Sequence, residues 1–170
     1  MLFFFYMRKY LEQLQRYRTD PGRYACDELA IIIIKPNSTP ESCSEIMNLI
    51  AENKLEVIKT VHTTLTKAKV LAVYNDIFRF NENDLLFGIG WKDRKMKYMT
   101  SNPVEAVLVQ GIYAQQKAEN IKYIIRQHYG KLSVPNTKLD DDTFEELAIK
   151  NIIHVVDSDE TDISLRLFFS

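Results

Sequence analysis

The alternation of apolar and polar positions predicts four strands separated by helices. The run LAIIII at 29–34 is aliphatic at every position, which is typical of a central strand covered on both faces. The β-α-β-α-β-α-β-α order that follows predicts an α+β fold of the ferredoxin-like (βαββαβ) type, a four-stranded antiparallel sheet with helices. The predicted strands are 29–34, 55–65, 103–111 and 151–156, and the predicted helices include 67–74 and 114–130.

The first 27 residues are predicted to form an amphipathic N-terminal helix and a turn, followed by the main domain at 28–170. Apolar side chains recur at helical spacing from Phe3 to Tyr17, and TDPGR at 19–23 ends the helix. The apolar run MLFFFYM is too short to span a bilayer. We expect this helix to dock on the domain or on a protein partner, with a mitochondrial or membrane-surface role as the alternative.

The composition excludes some classes of partner. A formal net charge of −1 gives no electrostatic reason to expect binding to nucleic acid or to an anionic membrane. Cys26 and Cys43 have neither a metal-binding nor a redox spacing, which indicates free thiols and a cytoplasmic location. The sequence contains no GxGxxG or GxxxxGK[ST] motif, so a phosphate would be bound without a glycine-rich loop.

His154 is the most informative residue, because it lies in the apolar stretch NIIHVV, which predicts a buried strand. It is either a core residue, a ligand or a nucleophile. Three blocks bear on this choice. The first strand ends in IIKP at 33–36, KYMTSNPVEAVLVQG at 97–111 places a helix end before a strand, and NIIH at 151–154 opens the last strand.

In this order and at these separations the blocks resemble the nucleoside diphosphate kinase family, whose sequences contain IKPD, KYM-x-SGP-V and NIIHGSD. The resemblance covers residues 28 to about 165. It implies ping-pong transfer, in which a histidine takes the γ-phosphate of a nucleoside triphosphate and passes it to a diphosphate. It also implies Mg²⁺, which arrives with the nucleotide, and assembly into homo-oligomers.

The resemblance assigns roles to four residues. His154 matches the nucleophile that accepts the phosphoryl group, and Lys35 matches the lysine near the transferred phosphate. Asn151 matches an asparagine beside the ribose and phosphates, and Tyr74 matches a tyrosine near the catalytic histidine. We therefore expect His154 to be catalytic, the other three residues to bind nucleotide, and no metal ligand to come from the protein itself.

The chain departs from the family pattern where phosphate is bound. Asp141 and Glu119 stand where the resemblance implies two arginines, and Leu165 stands where it implies a glutamate that orients the imidazole. Trp91 or Phe87 is the candidate for the aromatic residue that stacks on the base. The basic residues that could substitute for the arginines are Arg126, Lys138 and three in the enlarged loop, Lys92, Arg94 and Lys95.

Each charge-assisted hydrogen bond to phosphate contributes about 1.5–3 kcal/mol, so losing two lowers the rate by roughly 10²–10⁴. We therefore expect a divergent nucleoside diphosphate kinase-like domain, a weak or inactive pseudoenzyme that serves as a binding or scaffold domain. The alternative is an active, Mg-ATP-dependent kinase that works through phospho-His154. The expected partners are weakly bound nucleoside di- and triphosphates, and either a second copy of the chain or another protein that binds the N-terminal helix.

Overall fold

The computed structural model describes residues 27–74, 90–131, 143 and 145–170. Its four strands form one antiparallel sheet in the order β2-β3-β1-β4, so the predicted ferredoxin-like α+β fold is confirmed. Among the described residues no helix combines the length and the hydropathy that a membrane span requires. The elements are β1 (Asp27–Ile34), α1 (Pro40–Glu52), β2 (Glu56–Thr63), α2 (Lys67–Val73), α3 (Trp91–Met99), β3 (Val104–Ile112), α4 (Ala114–His128), a π-helical turn (Glu145–Ile149), β4 (Ile153–Val155) and α5 (Thr161–Phe169).

Strand β1 lies between two layers of helices, because alternate side chains of a strand point to opposite faces of the sheet. Ile31 and Ile33 pack in the layer that contains α2, α3 and α5. Ile32 and Ile34 pack in the layer that contains α1 and α4. All four are at most 2% exposed. Burial on both faces explains why this strand is aliphatic at every position.

The loop between β1 and α1 is fixed by a capping box. The Thr39 hydroxyl accepts a hydrogen bond from the backbone N–H of Ser42 at 3.2 Å, and Ser42 Oγ accepts one from the Thr39 N–H at 2.9 Å. Pro40 occupies the first helical position, where a missing N–H leaves no bond unmade. The loop that this box orders begins at Lys35, the first residue after β1.

The segment around β4 departs most from the predicted bounds. A strand was predicted at 151–156, but β4 spans Ile153–Val155, because Ile152 has a φ of +61° and cannot extend the strand. The short helix predicted just before it is a π-helical turn, a form frequently found at functional sites. Both irregularities lie within ten residues of His154. The N-terminal helix predicted within residues 1–27 lies outside the described residues.

Replacing Thr39 by alanine removes the hydroxyl of the capping box and should lower the free energy of unfolding by about 1 kcal/mol. Urea unfolding followed by circular dichroism measures this change. Thr64→Ala, at an exposed loop position, is the matched control and should change the free energy by less than about 0.5 kcal/mol. An equal loss in both variants would contradict the capping role of Thr39.

Candidate active site

His154 lies in β4, at the edge of the sheet beside β1. It is paired with Ile33, and residues directly opposite each other in antiparallel strands point to the same face. The imidazole therefore faces the layer of α2, α3 and α5, whereas its neighbours Ile153 and Val155 pack in the α1–α4 layer. The side chain of His154 is half-buried, so the ring is held by the core and is still accessible from outside it.

Tyr74 packs against the imidazole from the C-terminal end of α2. The centroids of the Tyr74 and His154 rings are 4.5 Å apart, and the rings are tilted by 36°. Tyr74 is 2% exposed, and burial raises the pKa of its phenol. Tyr74 therefore remains a neutral phenol that fixes the ring of His154 and contributes no charge.

Lys35 connects the end of β1 to the segment that leads into β4. Its ammonium donates a hydrogen bond to the Ile149 carbonyl at 3.2 Å and another to Oδ1 of Asn151. Its backbone N–H donates to the Ile152 carbonyl at 2.7 Å. Lys35 and Asn151 are 3% and 8% exposed, so these bonds form in the protein interior, where they are strong.

Ile152 is held in the left-handed region of backbone space, two residues before the imidazole. A β-branched residue rarely adopts this conformation, which costs on the order of 1–3 kcal/mol. The strain is sustained by packing, since Ile152 is 5% exposed in the α1–α4 layer. It is also sustained by the bonds to its carbonyl from the Lys35 N–H and from Ser38 Oγ at 3.2 Å. The backbone turn directs the following residues into β4.

Lys95 approaches the site from α3. Its ammonium lies 4.2 Å from the centroid of the Tyr74 ring, in the geometry of a cation–π contact. Lys35 also lies near this ring, with its ammonium 5.9 Å from the centroid. Lys95 is 6% exposed, and burial lowers its pKa to about 7, with the charge of Arg126 as the second cause. Near neutral pH this lysine is therefore divided between its charged and neutral forms.

Arg126 and Lys122 approach the same site from α4. An Nη atom of Arg126 donates a hydrogen bond to the Ile153 carbonyl at 2.9 Å, which brings the guanidinium to the edge strand next to His154. Lys122 lies one helical turn before Arg126 and forms an ion pair with Glu119. Glu119, which stands where the resemblance implies an arginine, is therefore at least partly compensated by the charge of Lys122.

The four basic residues whose charges act on the imidazole are called the cation cluster: Lys35, Lys95, Lys122 and Arg126. Burial lowers the pKa of His154 well below its ordinary value, and the charges of the cation cluster lower it further. The pKa of Lys35 is also well below its ordinary value, with burial again the largest cause. At pH 7 the imidazole is therefore neutral, which is the form whose nitrogen lone pair can attack phosphorus.

The Nε2 atom of His154 is fully enclosed and has no hydrogen-bond partner among the described residues. Leu165, at the position where the resemblance implies a glutamate, is 1% exposed in the apolar layer that the imidazole faces. The tautomer of the ring is therefore not set by an acceptor at Nε2. A buried polar atom without a partner also costs about 1–3 kcal/mol.

The structure brings together the four residues predicted from the sequence, since Tyr74 contacts His154, and Lys35 contacts both Asn151 and the Tyr74 ring. Trp91 does not fit the expected stacking role, because it is 2% exposed. Phe87, Lys138 and Asp141 lie outside the described residues. Sequence reasoning missed Lys122, although its spacing of four residues from Arg126 places both on one face of a helix.

Several solved structures that match this fold are nucleoside diphosphate kinases. The enzyme from Aquifex aeolicus matches with a TM-score of 0.60 and 18% identity, over 85% of this chain and 96% of that chain. The NDP kinase from Pyrobaculum aerophilum matches with a TM-score of 0.57 and 19% identity, over 85% and 97%. A structure of the enzyme from Borrelia burgdorferi, described as a transition state mimic with bound vanadate and ADP, matches with a TM-score of 0.57 and 17% identity, over 85% of this chain and 88% of that chain.

The protein is thus an α+β protein of the ferredoxin-like type with a histidine site at the sheet edge. More particularly, its fold is that of the nucleoside diphosphate kinases, at a sequence identity below 20%. Comparison with protein-family models and with curated proteins gave no match. The resemblance in the three sequence blocks is confirmed at the level of the fold.

The lowered pKa of His154 can be tested by NMR. Its Hε1 resonance should keep the neutral-form shift from pH 7.5 down to 5.5, whereas in the urea-unfolded chain it should titrate near the ordinary value of about 6.5. Because the folded pKa lies below the unfolded one, the unfolded state binds the proton first as the pH falls.

The associated stability is therefore fully present above about pH 6.5 and is lost below it, by about 1.4 kcal/mol for each pH unit. His154→Gln should remove this part of the pH dependence of the free energy of unfolding. A native-state titration of His154 near pH 6.5 would contradict the burial and charge effects described above.

Proposed function

We propose that the protein is a nucleoside diphosphate kinase-like phosphotransferase of low activity that works through phospho-His154. The observation that carries this proposal is the imidazole of His154 at the sheet edge, packed against Tyr74 and subject to the charges of the cation cluster from the β1–α1 loop, α3 and α4. Such an arrangement supplies a nucleophile together with positive charge for the phosphates. The likeness of the fold to nucleoside diphosphate kinases supports the same reaction class, although a likeness of fold alone does not define an activity.

In the proposed first step, a ring nitrogen of His154 attacks the γ-phosphorus of a nucleoside triphosphate. An N–P bond forms, the bond between the γ-phosphorus and the bridging oxygen breaks, and the diphosphate leaves with the electron pair. In the second step a terminal oxygen of another nucleoside diphosphate attacks the same phosphorus, and the N–P bond breaks. Because Nε2 is enclosed, Nδ1 is the nitrogen that we expect to react.

The cation cluster is proposed to replace the arginines that the sequence lacks. Charge-assisted hydrogen bonds contribute about 1.5–3 kcal/mol each, so two cations in contact with the phosphates would offset most of the expected deficit. The reaction remains slow in this proposal because no acceptor among the described residues holds the proton on Nε2, and only one of the two imidazole tautomers presents a lone pair at Nδ1.

Magnesium is proposed to enter with the nucleotide as part of the substrate. Among the described residues no group of three or more His, Cys, Asp and Glu side chains lies close enough to hold a metal ion. The side chains around His154 are mostly basic, and they suit phosphate oxygens better than a metal ion. In this proposal the ion is therefore held mainly by the phosphates.

The second candidate function is binding without transfer, in which the domain serves as a scaffold. It is favoured by the unpartnered Nε2 of His154, and by the Lys35 ammonium, which already donates to Asn151 and to the Ile149 carbonyl. This alternative includes self-association or a protein partner that binds the N-terminal helix. The cytoplasmic location, with mitochondria as the alternative, likewise stays a prediction.

Incubation with γ-³²P-labelled Mg-ATP should place an acid-labile, base-stable label on the protein, and His154→Ala should abolish it. Addition of an unlabelled nucleoside diphosphate should transfer the label to that nucleotide, because the N–P bond is the intermediate of the proposed reaction. His128→Ala is the matched control, since His128 lies on the outer surface of α4 and pairs with Glu45. It should label like the wild type.

The absence of label at stoichiometric protein, with a binding isotherm for Mg-ATP still measurable, would contradict transfer and support the scaffold function. Label that persists in His154→Ala would contradict the assignment of the nucleophile.

Leu165→Gln should increase the initial rate of labelling by about fivefold. Leu165 is in the layer that the imidazole faces, at the position where the resemblance implies a glutamate, so we expect the new amide oxygen to accept from Nε2–H and one added hydrogen bond to contribute about 1 kcal/mol. Leu165→Met, which preserves an apolar side chain of similar volume, should label like the wild type. A folded Leu165→Gln variant with an unchanged rate would show that the tautomer of His154 does not limit transfer.

A further inference from the structure

Two lysines lie beside the Tyr74 ring, but their ammonium groups differ in what they contact. The Lys35 ammonium already donates to the Ile149 carbonyl and to Asn151 Oδ1, and its backbone N–H bonds to Ile152. The Lys95 ammonium lies over the Tyr74 ring and makes no hydrogen bond or ion pair within the part of the chain that the structure describes. Lys35 therefore has a structural task, whereas the hydrogen-bonding capacity of Lys95 is unused.

We propose that Lys95, rather than Lys35, is the residue that binds the phosphoryl group passed to and from His154, so that the charge state of Lys95 sets the pH dependence of substrate binding. This inference rests on the proposed function and specifies which cation of the cluster acts on the substrate. It differs from the sequence expectation, which gave that task to Lys35.

The placement of Lys95 supports this role. Its ammonium is 4.2 Å from the centroid of the Tyr74 ring, and the His154 ring is 4.5 Å from the same centroid. The two groups share one aromatic neighbour and the charge of Lys95 acts on the imidazole, so we infer that a phosphoryl group bonded to His154 comes within reach of this ammonium. The ring face stabilises the cation in the absence of substrate by about 0.5–2 kcal/mol, but it does not use the N–H donors. Phosphate oxygens would supply the missing acceptors.

The electrostatic environment of Lys95 is dominated by positive charge. The titratable or charged groups near it from other elements are Tyr74, Lys35, His154 and Arg126, and Lys122 adds to the positive charge at Lys35 and His154. On the π-helical turn, which packs against α3, Glu146 carries a negative charge but is already paired with Lys131 and Lys150. The other charged or titratable groups on α3 itself are Lys92, Asp93, Arg94, Lys97 and Tyr98.

The sign of the pH dependence follows from the lowered pKa of Lys95. The free protein loses this charge as the pH rises through about 7. We therefore expect phosphate to bind tightly at a pH below 7 and weakly at a pH above it. His154 does not produce the same change, because its pKa is well below the ordinary value and the ring is neutral throughout this window. An arginine in place of Lys95 would keep its charge at every pH used.

The test measures the Kd of a non-hydrolysable Mg-ATP analogue by calorimetry at pH 6.0 and pH 8.5. For the wild type we expect about tenfold weaker binding at pH 8.5. Lys95→Met should bind about 10- to 100-fold more weakly than the wild type at pH 6.0 and show little further loss. Lys95→Arg should bind with a similar Kd at pH 6.0 and pH 8.5. Because arginine stays charged, any pH dependence that remains in this variant measures the titration of the nucleotide itself. Lys97→Met, at an exposed position of the same helix, is the control and should behave like the wild type.

Labelling with γ-³²P-ATP at the same two pH values separates this inference from the proposed function. If the wild type binds and labels, but Lys95→Met binds equally well with the same pH profile, the role of Lys95 is wrong and the phosphotransfer proposal stands. If the wild type neither binds nor labels at either pH, both are wrong. If Lys95→Met does not fold, Lys95→Arg decides the question, because a tenfold loss at pH 8.5 in this variant would assign the pH dependence to another group.

Discussion

The buried ammonium of Lys35 is the constraint on which the arrangement of the site depends. It joins the end of β1 to the π-helical turn through Ile149 and to the start of β4 through Asn151. With the backbone bond to Ile152, these contacts determine where the chain enters the edge strand and therefore where the imidazole lies. Because the amine is surrounded by protein, each of these bonds is stronger than it would be in water.

The same position makes the site electrostatically unusual. Three further basic side chains lie near Lys35, and the carboxylate found among them, that of Glu119, is paired with Lys122. Uncompensated positive charge in a poorly hydrated region is unfavourable, so it favours neutral forms of Lys35, Lys95 and His154. Burial and this positive charge together keep the imidazole of His154 neutral, and the same charge attracts anions, which is why a site of this kind suits a phosphate better than a cationic or neutral ligand.

The sequence allowed the fold to be predicted, because burial on both faces makes β1 aliphatic without alternation. The sequence also allowed four site residues to be found, because their order and spacing match those of the nucleoside diphosphate kinase family: Lys35, Tyr74, Asn151 and His154. The charge of the site could not be predicted in the same way. Counting positions placed Glu119 near the phosphates, but it does not reveal that the same face of α4 reaches the edge strand and also carries Lys122 and Arg126.

The unusual backbone of Ile152 has a consequence for communication across the sheet. Its side chain packs with α1 and α4, whereas the imidazole two residues later faces the opposite layer. A strained peptide that is maintained by packing on one side transmits rearrangement there to a reactive group on the other. We therefore expect that a change in the contact between α1 and α4, such as a binding event on their outer surface, would shift the imidazole of His154 without contacting it.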